Sequence, residues 1–498
     1  MRYRFSVQLP LPLPELTLAE AGAEPPAPSH RIFCNRSLRL DRVEWVGFDM
    51  DYTLAVYDQF EMDRLSIEVT VRKLVEKGYP EALLSMPYRT DFAIRGLLVD
   101  RKYGNVLKMD RYRYVKRAYH GLVELSLEER RRLYHSRRLQ PASRRYHWVD
   151  TLYALSEVAV YVAAIDALEA RGQDVDYAGL FADVRAAIDA AHQDGSILDT
   201  MLADLPRYVR RDPEMPRALH KLRSSGKRLF LLTNSHADYT ARMMDYLFEQ
   251  GPSEYPSWRN YFEVIITAAK KPSFFTESSP LMETGNGEHT PATRFERGKI
   301  YAGGHLALLE RHLGGGGDRV LYVGDHIYGD VLRAKKESAW RTAMIIQEMD
   351  AEQMALEACG PQLERMDELD DVRNAVYDDL HEHQVRLKEV SRARDELRAA
   401  GEASTELDSA RVLHRHAIDR LKARLRSADA EYSRLEEEVG RAFHPFWGPV
   451  FKSGPEVSLF GNQVEQYACL YTARVSNLDF YSPMHYFRSP RARMPHEL

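Results

Sequence analysis

The sequence predicts an α/β protein: a doubly wound parallel-sheet core, an inserted, mainly helical cap lobe, and a helical C-terminal addition. Three observations carry that reading. Five short apolar runs have strand length: VEWVGFDM (43–50), KRLFLLTN (227–234), FEVIITAA (262–269), RVLYVGDH (319–326) and TAMIIQEM (342–349). Helical patterns such as MPRALHKLRSSG (215–226), ADYTARMMDYLFEQ (237–250) and GDVLRAKKESAW (329–340) lie between the runs. Apolar strands alternating with helices build parallel sheets. Finally, about 175 residues separate the first run from the second without such alternation, the mark of an insertion just after strand one.

In chain order, residues 1–30 carry six prolines and no sustained periodicity, which predicts a flexible arm. Residues 31–58 and 212–350 hold the five strands and form the core. Residues 59–211 form the lobe, where SEVAVYVAAIDALEARG (156–172) and YAGLFADVRAAIDAAHQDG (177–195) read as helices with apolar faces. Residues 351–442 are charged and helical, and Leu and Ala at mixed three- and four-residue spacing favour a helical hairpin over a long coiled coil. The aromatic-rich segment 443–498 is expected to pack on the core or on a second subunit.

Composition narrows the function classes. With 69 Lys+Arg against 74 Asp+Glu the net charge is -5, which argues against a dedicated nucleic-acid binder. The basic run RRRLYHSRR (130–138) reads as a solvated face before it reads as a site for phosphate or RNA. Cys34, Cys359 and Cys469 are dispersed and suit a reducing, cytoplasmic setting rather than a disulfide framework. No run of about 18 apolar residues marks a spanning helix.

Each strand run ends in residues with chemical use, and ligands in doubly wound sheets gather at those ends. FDMDYTLAVY (48–57) sets Asp49 and Asp51 two apart, on one side of a strand end. Two such carboxylates repel unless a cation intervenes or one is protonated, which suits a nucleophile beside an acid/base; a surface turn is the plain alternative. LLTNS (231–235) places Thr233, Asn234 and Ser235 at a strand-to-helix turn, able to hold phosphate oxygens or simply to cap the helix. AAKKPSFF (268–275) offers Lys271 as a counter-charge to phosphate; alone, it reads as a surface lysine. GDHIYGD (324–330) gives Asp325 and, five residues on, Asp330. Carboxylates without histidine or cysteine partners suit Mg²⁺, although Asp330 also fits a helix N-terminal acid.

Taken together, these motifs resemble the haloacid dehalogenase superfamily of phosphatases. FDMDYTLAVY, LLTNS, KKPSFF and GDHIYGD more narrowly resemble the cytosolic purine 5'-nucleotidase family, here in a bacterial-type form. NRSLRL (35–40), GYPEALLS (78–85), RGLLVD (95–100), YGNVLK (103–108), TLYALSE (151–157), YAGGH (301–305) and MPHE (494–497) extend the likeness over nearly the whole chain from residue 31. The resemblance implies a Mg²⁺-dependent phosphoric monoester hydrolase acting on nucleoside 5'-monophosphates. In it Asp49 is the nucleophile and Asp51 the acid/base. Thr233 and Lys271 hold the transferring oxygens, with Asn234 and Ser235 assisting. Asp49, the Asp51 carbonyl, Asp325 and Asp330 surround the metal.

Substrate choice is expected in the lobe. Arg185, Asp189 and His192 fall on one helix face, where the family binds base and ribose; a surface Arg–Asp pair is the plain alternative. Tyr153 matches a family aromatic that stacks on the base, or is a core tyrosine. Ala154, Gln193, Leu198 and Asp150 replace an Asn, a Tyr, a Lys and an Asn of purine members, so the specificity pocket is altered while the catalytic motifs are complete. Tyr328 and Lys336 match positions near a nucleotide effector, and the family is commonly oligomeric. Three alternatives stay open: a phosphatase for another small phosphorylated metabolite, a nucleoside phosphotransferase, and a non-catalytic scaffold.

Overall fold

A computed structural model describes residues 26–135, 139–249, 251, 254–285, 288–492 and 494–497. Residues 1–25 of the expected N-terminal arm lie outside the described residues. The chain enters a large sheet at its edge as β1 (Phe33–Cys34) and reaches the sheet centre as β2 (Trp45–Phe48). All four residues of β2 are buried, as a strand covered on both faces requires.

The lobe follows. It comprises α1 (Gln59–Glu76), β3 (Leu97–Asp100), β4 (Asn105–Met109), β5 (Val115–His120), β6 (Val123–Glu124), β7 (Tyr146–Val149), α2 (Ala154–Glu169) and α3 (Tyr177–Gln193). The two expected helices are present. The lobe also contains an antiparallel sheet of order β6-β5-β4-β3-β7, which the mainly helical expectation left out. The reason is burial: β3 and β4 are buried at every residue, so they lack the alternation that identifies a half-exposed strand.

The chain returns through α4 (Met215–Ser224), β8 (Arg228–Leu232), α5 (Ala237–Phe248), β9 (Val264–Thr267), the hairpin β10 (Leu281–Gly285) and β11 (Glu288–Ala292), and β12 (Ile300–Gly303). It continues with α6 (Leu306–Leu313), β13 (Val320–Gly324), α7 (Arg333–Ser338) and β14 (Arg341–Ile345). Then come α8 (Met349–Ala358), α9 (Gly360–Ala399), α10 (Thr405–Phe443), α11 (Leu459–Tyr467) and β15 (Leu470–Thr472). The ten strands are ordered β1-β15-β14-β13-β2-β8-β9-β12-β10-β11, parallel from β15 to β12 and antiparallel at both edges. All five expected strands are in the parallel part.

Alternate residues of the central strands serve two cores. Val46, Phe48, Leu229, Leu231, Leu321 and Val323 enter one; Trp45, Phe230, Leu232, Val320 and Tyr322 enter the other. The strands lie close enough that a Cβ on Gly47 would fall 2.1 Å from the Phe230 ring. Because the chain leaves β2 toward β8 on one side and β13 on the other, β2 is the switch point of the sheet, where a crevice opens at the carboxyl ends.

The C-terminal quarter adds two features. The helices α9 and α10 run antiparallel, with Arg365 paired to Glu431 and His383 hydrogen-bonded to His414. Leu369 and Val376 on α9 and Ala428 and Leu435 on α10 are buried in the hairpin. Beyond it, the indole N–H of Trp447 donates to the Phe92 carbonyl at 2.6 Å, and β15 inserts between β1 and β14.

Candidate active site

Register brings the motif residues to adjacent levels. Phe48 is paired with Leu231 on one side and Val323 on the other, so Asp49 leaves the sheet level with Leu232 and Gly324, and Thr233 and Asp325 follow one residue further on. The Asp49 N–H donates to the Val323 carbonyl at 2.9 Å. Lys271 reaches the same centre from the loop after β9, which is curled by left-handed Ala268 (φ 45) and Lys270 (φ 59). Its backbone is clamped by Asn234, whose Oδ1 accepts from the Lys271 N–H at 2.6 Å while its Nδ2 donates to the Lys271 carbonyl at 3.0 Å.

Asp49, Asp325 and Asp330 form a buried cluster in which ligand oxygens lie within 4.8 Å of one another, the one such group among the described residues. The Lys271 ammonium sits 2.9 Å from Asp49 Oδ1 and 2.6 Å from Asp330 Oδ1, and donates to the Tyr322 hydroxyl at 3.0 Å. Burial, then the Asp330 and Asp49 charges, pushes Asp325 well above the carboxylate range. Burial acts to lower Lys271, but Asp330 and Asp49 outweigh it and hold the ammonium charged. Fully ionised, the three carboxylates would set two uncompensated negative charges out of water beside the one ammonium, which a hard divalent cation with oxygen ligands would balance. The donor set therefore fits Mg²⁺. Gly324 is required beside it: a Cβ there would lie 2.6 Å from three Asp330 atoms.

Asp51 is held differently. Its carboxylate accepts from the hydroxyls of Tyr57 and Ser235, and the Tyr239 hydroxyl shares its one proton between the Tyr57 oxygen at 2.7 Å and Asp51 at 3.4 Å. Burial raises its pKa, and those hydroxyls oppose the rise. Ser235 thus spends its proton on Asp51, and Asn234 acts on Lys271; both serve the motif residues directly.

Beyond Asp51 a cavity of about 530 Å³ opens between core and lobe, lined among others by Ser235, Tyr239, His326, Tyr153, Arg185, Asp189 and His192. The lobe residues singled out by spacing therefore share one cavity with Ser235, Tyr239 and His326 of the core. The Tyr153 ring is 40% exposed and meets His192 edge-on at 5.6 Å. The Arg185 guanidinium lies 3.1 Å from Glu157 Oε1 and 3.1 Å from His147 Nδ1. Burial, opposed by Arg185 and reinforced by Asp189 and Asp150, lifts Glu157 to about 7. Burial and then Arg185 and Arg101 push His147 down to about 4, so its Nδ1 is a free acceptor for Arg185. His326 Nδ1 accepts the N–H groups of Tyr328 and Gly329 at 3.0 and 2.8 Å, which leaves its Nε2 for the cavity. Asp150, Ala154 and Leu198 also line the wall.

A sequence profile of the 5' nucleotidase family matches residues 32–498. The chain belongs to the 5' nucleotidase family. Among curated relatives, a 5'-nucleotidase domain-containing protein of Dictyostelium discoideum is 28% identical over 483 residues, covering 94% of this chain and 74% of that protein. The human 5'-nucleotidase domain-containing protein 2 is 34% identical over 340 residues, covering 64% of each chain. The rat protein of the same name is 33% identical, and the chain spans 60% of its length. Similar solved structures include a predicted phosphoglycolate phosphatase from Haemophilus somnus at 12% identity and TM-score 0.26, covering 61% of this chain and 85% of that one. The magnesium-bound HAD-hydrolase YfnB of Bacillus subtilis aligns at 12% identity and TM-score 0.19, covering 61% and 89%. At these scores the structural likeness carries no argument here.

For a 5' nucleotidase family member the residues missed from sequence are instructive. Tyr322, Tyr57, Tyr239, Arg95, Glu348, Glu157, His147 and His326 all contact the site or its lining. All but His147 lie inside segments quoted above, but spacing within those segments does not show which of them reach the site; the tertiary fold does. Tyr328, 40% exposed, accepts a hydrogen bond from Gln463 at 3.4 Å. Lys336 is exposed on α7. Neither lines the cavity. No helix among the described residues is long and apolar enough to cross a membrane.

Proposed function

We propose that the chain is a Mg²⁺-dependent phosphatase of nucleoside 5'-monophosphates, releasing nucleoside and phosphate. One observation carries the reading: the buried Asp49, Asp325 and Asp330 cluster with Lys271 adjoins, through Asp51, a lobe cavity of about 530 Å³. In this reading Asp49 attacks phosphorus in line, forming an aspartyl-phosphate, while Asp51 gives its proton to the departing nucleoside oxygen. Asp51 then takes a proton from water, whose oxygen attacks phosphorus and frees both phosphate and Asp49. Thr233 and Lys271 hold the transferring oxygens. Asp49, Asp325, Asp330 and the Asp51 carbonyl would hold Mg²⁺, which supplies charge neutralisation. Family membership supports a phosphatase or nucleotidase.

For the base we assign Tyr153 as the stacking ring and Arg185, Asp189 and His192 as polar contacts, favouring a purine. Ala154 and Leu198, apolar where purine members are polar, favour a second reading: the same chemistry, or transfer to a sugar hydroxyl, on another small phosphorylated metabolite. A nucleotide effector at Tyr328 and Lys336 belongs to the proposal as well, and an unchanged rate on adding ATP would remove it.

The deciding experiment is phosphate release from a panel of nucleoside 5'-monophosphates and an aryl phosphate with Mg²⁺, with Asp49→Asn as control. Hydrolysis of purine monophosphates, lost in Asp49→Asn, is the expected result. Aryl phosphate turnover without nucleotide turnover moves the substrate. No turnover with any divalent ion leaves the scaffold.

A further inference from the structure

Net charge hides a strong local excess. Residues 101–145 contain fourteen Lys+Arg and four Asp+Glu, in a chain of net charge -5. The described part of this segment builds β4, β5, the edge strand β6 and the helix Leu127–Tyr134. Arg113, Arg131, Arg132 and Arg144 are exposed and, among the described residues, have no ion pair within the chain. Lys116 is only 3.8 Å from its one partner, Asp110. The cations crowd one another: Arg130 donates to the Lys116 carbonyl, and burial, then Arg117 and Arg131, lowers its pKa.

The turn between β4 and β5 adds aromatic rings to this patch. The Asp110 side chain, buried, accepts from the Tyr112 and Tyr114 N–H groups at 2.9 and 3.0 Å. The Asp110 N–H and carbonyl bond the Tyr114 carbonyl and the Arg113 N–H at 3.1 and 2.9 Å. Arg113 is thereby held at φ 71, a conformation an arginine adopts only when its surroundings impose it. The outcome is a rigid display of Tyr112, Arg113 and Tyr114, the two rings 53% and 57% exposed. Nothing in the catalytic centre uses these residues.

Rings for stacking, interleaved with unpaired arginines on a surface longer than one phosphate, fit a chain of unstacked bases joined by phosphates. We propose that this face of the lobe binds single-stranded nucleic acid: Tyr112 and Tyr114 stack on successive bases, and Arg113, Lys116, Arg131 and Arg132 track the backbone. An overall charge near zero does not oppose this, because binding responds to cations within about a Debye length, roughly 8 Å at physiological salt.

The test is fluorescence anisotropy with a labelled single-stranded 12-mer and the full chain, over a range of salt concentrations. We expect saturable binding that weakens as salt rises, with a log–log slope of about -2 to -4. Tyr112→Ala with Tyr114→Ala should weaken it about ten-fold or more. Arg131→Glu with Arg132→Glu should weaken it and flatten the slope. Both double variants should keep wild-type circular dichroism and wild-type phosphate release. Three results overturn the proposal: no binding at low salt, equal binding of a duplex of the same length, or loss in the arginine variant alone, which would mark a surface for polyanions without base stacking.

Discussion

Arg95 and Glu348 form a two-pronged ion pair, Nε and Nη2 of the arginine facing the two carboxylate oxygens at 2.7 and 2.5 Å. The arginine side chain is fully buried, and its remaining nitrogen donates to the Asp325 carbonyl at 3.1 Å. A lobe residue thereby fixes the backbone of a carboxylate in the metal-fitting cluster, with Phe460 stacked under its guanidinium. Removing one member of a buried pair strands the other. Arg95→Met should lower stability by about 3–5 kcal/mol. Arg95→Lys should fold better yet lose the fork, so the Mg²⁺ concentration for half-maximal activity should rise several-fold; a magnesium titration of both variants checks this.

Lys271 neutralises Asp49 and Asp330 and is placed to meet the phosphate. Lys271→Met should cut the rate of phosphate release by about 10²–10³-fold. Because a positive charge leaves the cluster, divalent-ion affinity should move the opposite way and tighten. Calorimetric Mg²⁺ binding to wild type and variant separates the two effects.

Gly324 has no room for a methyl group, since a Cβ there would meet Asp330 at 2.6 Å. Gly324→Ala should displace Asp330 and, with it, the hydrogen bond from the His326 N–H. The expected result is near-complete loss of activity with a modest stability loss of about 1–3 kcal/mol, read from denaturant melts beside the assay.

Asp63 on α1 is buried and lifted to about 7, burial raising it and the Gln59 amide, at 2.9 Å, opposing. The folded chain therefore keeps a proton that the unfolded chain sheds near pH 3.8. Stability should fall as pH rises from about 4 to 7 and level off above that. Asp63→Asn should remove this dependence and stabilise the protein at pH 8 by about 2–4 kcal/mol, measured by urea unfolding at pH 5 and pH 8.

The five central strands were legible because each is a short apolar run; β2, β8, β9 and β13 lie within those runs and β14 starts one residue before its run. The lobe sheet, β10, β11, β12 and β15 were not. β15 pairs with β1 and β14, partners far away in the chain, and nothing local in LYT marks it as a sheet strand. The same contrast holds at the site. Asp49, Asp51, Lys271, Asp325 and Asp330 stand out because strand ends converge at a switch point and their spacing shows it. Tyr239, Arg95 and Glu157 do not, because their approach depends on how α5 and the lobe pack.

Local sequence alone determined the alternation of strands and helices, the order of the motif residues and the acidic, oxygen-rich chemistry of the centre, since these follow from side-chain type and short-range periodicity. The tertiary structure alone decided which hydroxyls hold Asp51, which lobe arginine steadies Asp325, how Glu157 and His147 orient Arg185, and that the basic segment becomes an exposed face. Those are contacts between residues far apart in the chain, and their energies come from burial and from distances that no short window of sequence contains.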